Sequence, residues 1–340
     1  MFAVLSLLAA ACGDDDTEAT TADDDTEATT ADDDDDGEAG GGGAEGEVVV
    51  SGSSTVEPIA VAVAEDFATV EPGVNVSVSG PGTGDGFLLF CSGETDVSDA
   101  SRPIKDEEAA NCEENGINYV ELKVAIDGMA VMTSAENDAV ACLSFPELYA
   151  LVGPESTGFQ NWSDANAIAG ELGAEGALPD ADLVISAPGT ESGTYDSFVE
   201  IVLEGIAEER GQEATTRPDY SSAADDNVII ETISSNPTSF GWVGFAFAEE
   251  ASGVRMLPIS AEVGGDCIEP TPETIASNEY PIARDLFIYV NSDRAAENPG
   301  LVAYIDHFMT FGLDEAATNV GYVGLTDDSK AESRAAWDGR

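Results

Sequence analysis

The chain has 340 residues and carries 68 acidic against 11 basic side chains, a formal net charge of −57. This acidity excludes a nucleic-acid-binding protein, which needs a basic surface against phosphate, and a polybasic membrane-surface protein. Residues 13–47 hold 16 of the acids and no lysine or arginine, and removing these 16 from 68 still leaves 52 acids. We therefore expect the protein to work in a salty medium, because salt screens the repulsion between the acids on such a surface.

The first twelve residues are typical of the end of a secretory signal peptide. Residues 2–11 form an apolar run that is too short to span a bilayer, and it ends at Cys12. Residues 8–12 resemble a bacterial lipobox, in which the cysteine becomes the lipidated first residue. The sequence therefore predicts lipidation at Cys12 after a signal-peptide remnant at 1–12, and the alternative is a free cysteine in a cytosolic leader.

Residues 13–47 form an acidic segment of low complexity. The nine-residue unit DDDTEATTA occurs twice, at 14–22 and 23–31, and a run of glycines follows at 40–43. Such a segment has little apolar surface to bury and repels itself, which predicts a disordered, flexible linker. Anchor, linker and folded body together predict a protein outside the cytoplasm that is attached to the cell membrane by lipid alone.

From Val48 onwards, short β-branched or apolar runs alternate with amphipathic segments. The predicted strands are 48–50, 75–79, 95–103 (which ends in a polar loop), 120–124, 128–133, 183–187, 240–247 and 285–291. The predicted helices are 59–70, 87–93, 106–115, 144–151, 195–209, 226–234 and 299–311, the last being the final long helix. This alternation predicts an α/β fold in which helices cover both faces of the sheet.

Four cysteines remain in the body, and an even count outside a reducing cytosol indicates two disulfides. Three pairings are possible, of which we favour Cys91–Cys112 as a local loop and Cys142–Cys267 as a long one. The sequence contains no CxxC, so we expect no metal site and no cofactor. The single histidine, His307, lies in a predicted helix, where a packed side chain is commoner than a catalyst.

Three turns between strand and helix are rich in glycine, serine and threonine: 52–55, 82–86 and 189–194. Helix N-termini present unpaired N–H groups, hydroxyls add donors, and glycine lets the backbone approach an oxyanion closely. Each turn alone is more simply explained as a helix cap. Three together, with Arg102 at the end of a predicted strand, favour a site for phosphate or carboxylate.

Several segments resemble the PstS phosphate-binding proteins of bacterial phosphate ABC transporters, in their actinobacterial-like lipoprotein branch. They are VSGSSTVEPI, SGPGTGDGFLLFCSGETDVSDASRPI, APGTESGTYDSF, RPDYSSAADDNVIIETI, SFGWVGFAFAEE and CIEPTPETIASNEYPIARDLFIYVN. The resemblance runs from about residue 48 to about 324. It implies a type-2 periplasmic-binding-protein fold with two lobes, 48–124 plus 283–340 and 125–282, joined by two crossing strands around a phosphate site.

The resemblance also implies a set of phosphate-binding residues. Ser54, Thr55 and Val56 match the family's first loop, Thr83 matches a serine ligand in the glycine-rich loop, and Ser192, Gly193 and Thr194 match a Ser-Gly-Thr turn. Two positions depart from the family. Pro188 occupies the place of an arginine, so we expect Arg102 to supply the positive charge. Ser101 aligns with the ligand aspartate of better-studied members, while Asp99 lies two residues earlier.

An acidic ligand matters for selectivity. Phosphate near pH 7 is partly protonated and can donate a hydrogen bond to a carboxylate, whereas sulfate cannot. Asp99 is the first candidate for this acceptor. Asp225 or Asp226 is the second, although a helix cap or a solvated loop explains these two residues more simply.

The predicted function is capture of inorganic phosphate between the lobes and its delivery to an ABC permease by a monomeric lipoprotein. A sensor, or a binder of sulfate or another oxyanion, would use the same fold. A surface phosphohydrolase is disfavoured because the chain has one histidine and shows neither a metal-ligand cluster nor a Ser–His pairing. The sequence therefore predicts a protein that is not an enzyme.

Overall fold

The structure is a computed structural model that describes residues 44–174 and 176–340. The predicted signal-peptide remnant at 1–12, the lipidation at Cys12 and residues 13–43 of the predicted linker lie outside the described residues. Within the described part, residues 46 and 47 belong to the first strand, so this strand overlaps the predicted linker by two residues.

Most predicted elements are present, with shifted ends. The strands are β1 (Gly46–Gly52), β2 (Val74–Ser79), β3 (Val97–Ala100), β4 (Tyr119–Ser134), β5 (Leu143–Ser144), β6 (Val184–Ala187), β7 (Ser221–Ser222), β8 (Ser239–Gly244), β9 (Val254–Met256), β10 (Ile259–Ser260) and β11 (Ala283–Asn291). The helices are α1 (Glu57–Val70), α2 (Thr83–Cys91), α3 (Asp106–Glu114), α4 (Phe145–Val152), α5 (Asn166–Glu171), α6 (Gly193–Phe198), α7 (Glu204–Arg210), α8 (Asp226–Ser234), α9 (Phe245–Glu249), α10 (Pro272–Ala276), α11 (Ser292–Glu297), α12 (Pro299–His307), α13 (Ala317–Asn319) and α14 (Asp327–Asp338).

Among the described residues, nine strands form one sheet in the order β2-β1-β3-β11-β4-β8-β6-β7, with β9 also paired to β4. Strands β1, β2 and β3 are parallel to one another, as are β6, β7 and β8, while β11 runs antiparallel to β3 and β4. A two-stranded sheet joins β5 and β10.

The 16-residue strand β4 connects the two halves of the large sheet. Its first part pairs with β11 as far as Gly128, and its second part pairs with β8 from Met129 onwards. Every residue from Val124 to Ser134 is buried. A strand covered on both faces needs such a continuous apolar run, which explains why the sequence reads as two nearly continuous strands here.

The C-terminal part departs from the prediction. The chain ends in α14, a 12-residue helix that lies beyond the helix predicted to be the last long one. Its sequence is mostly charged and alanine-rich, so it has little apolar periodicity. Trp337 nevertheless anchors it: the indole is 1 % exposed, and its Nε1 donates to Asp306 Oδ1 at 2.6 Å.

Two π-helical segments interrupt helices that the sequence predicted as regular. Val199–Leu203 separates α6 from α7, and Phe308–Ala316 follows α12. His307 lies at the second junction, where Nε2 is 2.8 Å from Asp66 Oδ2 and the imidazole packs against the rings of Phe67 and Phe311. It is therefore a packed helix residue, as its surroundings in the sequence indicate.

The structure contains the two disulfides that the sequence favoured, Cys91–Cys112 and Cys142–Cys267. The first joins α2 to α3 inside a small apolar cluster. The second closes a sequence separation of 125 residues and lies nearer the surface. In residues 44–174 and 176–340, no helix is long and apolar enough to cross a membrane.

Candidate functional site

The first predicted loop runs from β1 into α1 across the end of β3. A Cβ on Gly52 would lie 2.1 Å from the carbonyl oxygen of Asp99, so only glycine allows this approach. Ser53 N–H donates to the same carbonyl at 2.9 Å, which fixes the loop over β3. Helix α1 has no side-chain cap, so the hydroxyls of Ser54 and Thr55 are available for contacts outside their own helix.

Those two hydroxyls contact α6. Ser54 Oγ donates to Asp196 Oδ2 at 3.2 Å, and Thr55 Oγ1 lies 3.3 Å from Ser197 Oγ. The backbone amides of this loop have partners of their own: Thr55 N–H donates to Ser53 Oγ, and Val56 N–H donates to Ser53 O. Thr55 and Val56 are both buried. The loop thus presents side-chain oxygens, and its amides at Thr55 and Val56 are already hydrogen-bonded.

The glycine-rich loop enters α2 at Thr83. Its N-cap, Gly82, has a φ of 117°, which disfavours residues with a side chain. Thr83 Oγ1 accepts from Ser101 N–H at 3.2 Å and lies 3.0 Å from Ser101 Oγ. Two residues predicted from different segments, Thr83 and Ser101, therefore meet at the C-terminal ends of the parallel strands, where α/β proteins commonly bind ligands.

The Ser-Gly-Thr turn begins α6 as predicted. Ser192 is the N-cap, and its hydroxyl accepts from Thr194 N–H at 3.2 Å. A Cβ on Gly193 would lie 3.7 Å from both Ser54 O and Thr55 Cα, so this turn lies against the first loop. The Ser192 hydroxyl and the Thr194 amide are therefore engaged in capping the helix.

Arg102 does not hold a free guanidinium over the site. Its two terminal nitrogens form a bidentate pair with Glu108, each at 2.8 Å. Glu108 also accepts from Lys105 N–H at 2.9 Å, so this pair supports the N-terminus of α3. The fork geometry that suggested an anion ligand is used by a carboxylate of the chain itself.

A second guanidinium near these loops belongs to Arg284, which the sequence reasoning did not single out. It lies on β11 with Asp127 of β4 as its cross-strand partner, and its side chain is 13 % exposed. Nη2 donates to Thr55 Oγ1 at 3.1 Å and to Ser197 Oγ, and Nη1 donates to Glu200. The available signal was a scarce arginine directly before the apolar strand DLFIYVN.

A cavity of about 660 Å³ lies beside Arg284. Its lining contains three of the predicted residues, Thr83, Ser101 and Arg102, together with Arg284. The rest of the wall is formed by Pro81, Gly82, Gly84, Asp85, Pro103, Lys105, Glu200, Ile201, Glu204 and Asp285. The first loop contacts the cavity wall through the Arg284–Thr55 hydrogen bond. The Ser-Gly-Thr turn packs against that loop and does not line the cavity.

Asp127 of β4 supplies a counter-charge to the guanidinium of Arg284. Its Oδ2 lies 3.5 Å from Arg284 Nε, and the Asp127 side chain is 4 % exposed. Burial raises the pKa of Asp127, while the charge of Arg284 and a hydrogen bond from Ser197 oppose that rise. This carboxylate compensates a buried positive charge that would otherwise be costly.

The chain has sequence relatives among known bacterial proteins. Residues 20–311 match the PBP superfamily domain. The chain is 35% identical over 285 residues to protein SphX of a Synechocystis species, covering 83% of this chain and 79% of the relative. It is 33% identical over 299 residues to the phosphate-binding protein PstS of Staphylococcus saprophyticus, covering 86% and 85%.

The chain belongs to the PBP superfamily and, within it, to the PstS family. A possible phosphate-binding protein from Planctomyces limnophilus has a similar solved structure, with a TM-score of 0.78 and 33% identity over 87% of this chain and 99% of that one. These findings confirm the predicted α/β type-2 periplasmic-binding-protein fold. The PstS family consists of solute-binding transport proteins, which confirms that the chain is not an enzyme.

The acidic candidates of this PstS-family chain lie outside the cavity wall. Asp99 is fully buried, and neither of its carboxylate oxygens has a hydrogen-bond partner among the described residues. Asp225 is the N-cap of α8 and accepts from Asn227 N–H at 2.9 Å. Burial and the charge of Asp225 raise the pKa of Asp226 to about 6. The helix-cap explanation for Asp225 is therefore correct.

Burial and the neighbouring Glu57 raise the pKa of Asp99 from 3.8 to about 8. The folded protein thus holds a proton that the unfolded chain releases, and the stability linked to Asp99 is lost as the pH rises from about 4 to about 8. We expect Asp99→Asn to remove this loss. Urea unfolding at pH 5 and pH 8.5 measures it: the unfolding free energy of the wild type should fall relative to that of the variant.

Glu57→Gln is the control, because it removes the neighbouring charge and leaves Asp99 able to titrate. It should reduce the pH dependence without abolishing it. The prediction would be wrong if the unfolding free energies of the wild type and Asp99→Asn changed with pH in parallel. That result would show that Asp99 is charged in the folded protein at neutral pH.

Proposed function

We propose that this chain captures inorganic phosphate in the cavity beside Arg284. The observation that carries the proposal is the mostly buried guanidinium, which shares its hydrogen bonds with the hydroxyls of Thr55 and Ser197 at the edge of a cavity that also presents Thr83 and Ser101. Charge-assisted hydrogen bonds to an oxyanion are roughly twice as strong as neutral ones. Membership of the PstS family supports phosphate as the ligand.

The high net negative charge does not oppose this proposal. A polyanion would need a broad basic surface, but a single small anion needs only a few donors within hydrogen-bond range. The surface acids are screened within about 10 Å at 0.1 M salt, whereas the partly buried guanidinium is screened much less. This argument applies to the distant surface charge; four acids also lie in the cavity wall itself, Asp85, Glu200, Glu204 and Asp285.

The remaining predicted ligands stay predictions. Thr83 and Ser101 lie in the cavity wall, and we propose that their hydroxyls donate to the anion. The other predicted ligands do not line the cavity and would act through the local dipole of two helix N-termini: Ser54, Thr55, Val56, Ser192, Gly193 and Thr194. The role of Asp99 as acceptor of the phosphate proton also stays a prediction, against which its burial outside the cavity weighs.

The proposal includes a division into two lobes that close around the ligand. We place one lobe at 48–124 plus 283–340 and the other at 125–282. The change of partner along β4, from β11 to β8 at Gly128–Met129, supports a boundary close to the predicted one. Both halves of the Cys142–Cys267 disulfide would then lie in the second lobe, where the bond would not obstruct closure.

Delivery and location complete the proposal. The protein would hand phosphate to the permease of an ABC transporter and would work outside the cytoplasm, as PstS-family binding proteins do. Cys12 would carry the lipid anchor and residues 13–47 would form the linker, with the protein acting as a monomer. A sensor role would retain the same site but would not require the permease.

Thermal unfolding of the full chain with and without inorganic phosphate tests the proposal. A ligand at about 1,000 times its dissociation constant stabilises the folded state by about 4 kcal/mol, so millimolar phosphate should raise the melting temperature. Sulfate at the same ionic strength should not. Equal stabilisation by sulfate would favour the binder of another oxyanion, and an unchanged melting temperature with both anions would contradict the proposal.

A further inference from the structure

The wall of the cavity contains acids where a dianion is expected to bind. Glu200 and Glu204 both line the cavity from the helical segment that follows the Ser-Gly-Thr turn, and Glu200 lies in the π-helical stretch Val199–Leu203. The carboxylate of Glu200 accepts a hydrogen bond from Nη1 of Arg284. A carboxylate of the chain thus lies on the guanidinium that the proposed function assigns to phosphate.

The two carboxylates next to Arg284 differ in their freedom to move. Asp127 has a side chain that is 4 % exposed, and a neighbouring strand fixes it. Glu200 has a side chain that is 50 % exposed and can turn into solvent. Asp127 supplies a fixed counter-charge to Arg284, and Glu200 adds a second carboxylate on the cavity side, where an anion would bind. Glu200 is therefore the carboxylate that a bound anion can replace.

A second carboxylate, one helical turn before Glu200, also accepts a hydrogen bond from a predicted site residue. Asp196 accepts the hydroxyl hydrogen of Ser54 at 3.2 Å. Burial raises the pKa of Asp196, the hydrogen bond from Ser54 opposes that rise, and the charge of Glu200 adds to it. Two acids at a spacing of four residues therefore contact two polar groups: Glu200 contacts the guanidinium of Arg284, and Asp196 contacts the hydroxyl of Ser54.

We propose that Glu200 is a built-in counter-anion that occupies Arg284 in the empty protein and is displaced by phosphate. The inference rests on the proposed function and adds a determinant of affinity and specificity to it. A phosphate dianion gains several charge-assisted hydrogen bonds by replacing the carboxylate. A hydrated monovalent ion such as chloride gains little, so Glu200 keeps chloride away from Arg284 in the salty medium that the acidic surface suggests.

The test is calorimetric titration of inorganic phosphate into the full chain in sodium gluconate and in sodium chloride at equal ionic strength. In gluconate, Glu200→Gln should bind phosphate about 5- to 10-fold more tightly than the wild type, because no charged carboxylate has to be displaced. In chloride that advantage should disappear, because chloride now competes for the unprotected guanidinium. The wild type should change little between the two salts.

Glu204→Gln is the matched control, because it removes the same charge from the same wall, and no ion pair joins Glu204 to Arg284 among the described residues. It should change affinity by about twofold or less, in both salts alike, as expected for an exposed charge. Equal effects of the two substitutions, or no effect of Glu200→Gln, would overturn the inference while wild-type binding persists. A wild type that binds no phosphate would instead overturn the proposed function, and the inference with it.

Discussion

Replacing Arg284 with methionine should weaken phosphate binding by about 100-fold or more, because removing one partner of a mostly buried charge interaction typically costs about 3–5 kcal/mol. The arginine is 13 % exposed and touches Thr55, Ser197 and the wall of the cavity at once. Methionine keeps the unbranched aliphatic shape and removes the donors. Calorimetric titration with inorganic phosphate measures the loss.

Arg102→Met is the matched comparison, because it removes the same charge from the same cavity wall. Its guanidinium is committed to Glu108, so the expected loss of affinity is about fivefold or less. The substitution should mainly weaken the N-terminus of α3. A large loss with Arg102→Met and a small one with Arg284→Met would restore the assignment that the sequence alone suggested.

Arg284→Met also leaves Asp127 buried without its counter-charge, so loss of binding must be separated from loss of folding. The double variant Arg284→Met/Asp127→Asn removes both charges. Its melting temperature without phosphate should recover towards that of the wild type, while its phosphate affinity should stay low. Recovered binding in the double variant would show that Arg284 acts through folding and not through contact with the anion.

Removing the Cys142–Cys267 disulfide should lower the free energy of unfolding by about 5 kcal/mol, the loss of loop-closure entropy expected for a loop of this length. The bond closes a separation of 125 residues, and Cys142 and Cys267 are not fully buried, so their replacement leaves no large cavity. Urea unfolding of Cys142→Ala/Cys267→Ala under oxidising conditions measures the effect.

The same variant should keep its phosphate affinity, because neither cysteine lines the cavity beside Arg284. Titration at a temperature where the variant is folded provides that control. An unfolding free energy within about 1 kcal/mol of the wild type would mean that the unfolded chain is already restricted between these two positions.

The sequence was informative where local backbone chemistry decides the structure. Gly82, Ser192 and the short β-branched runs predict turns and strands because their conformational preferences act within a few residues. The α/β class followed from the alternation of these runs. By contrast, α14 was missed because one buried tryptophan, Trp337, anchors a helix whose other side chains are mostly polar.

Which residues form the site depends on long-range contacts that no local sequence pattern indicates. Arg102 and Arg284 are both scarce arginines beside predicted strands, and no sequence pattern indicated that Glu108 would pair with Arg102. The register of β11 against β4 places Arg284 above Asp127, and the chain path brings Thr55 to it from 229 residues away. Asp99 shows the same limit, since its burial follows from the packing of β1, β11 and α2 around β3.

The most direct test of the account is a crystal structure of the full chain with arsenate, a phosphate analogue that anomalous scattering locates without ambiguity. We expect one strong anomalous peak in the cavity. The arsenate oxygens should lie about 2.7–3.0 Å from Arg284 nitrogens and within reach of Thr83. The Glu200 carboxylate should be turned away from Arg284. A peak confined to the surroundings of Arg102, or no ordered arsenate in a crystal that binds the anion in solution, would contradict it.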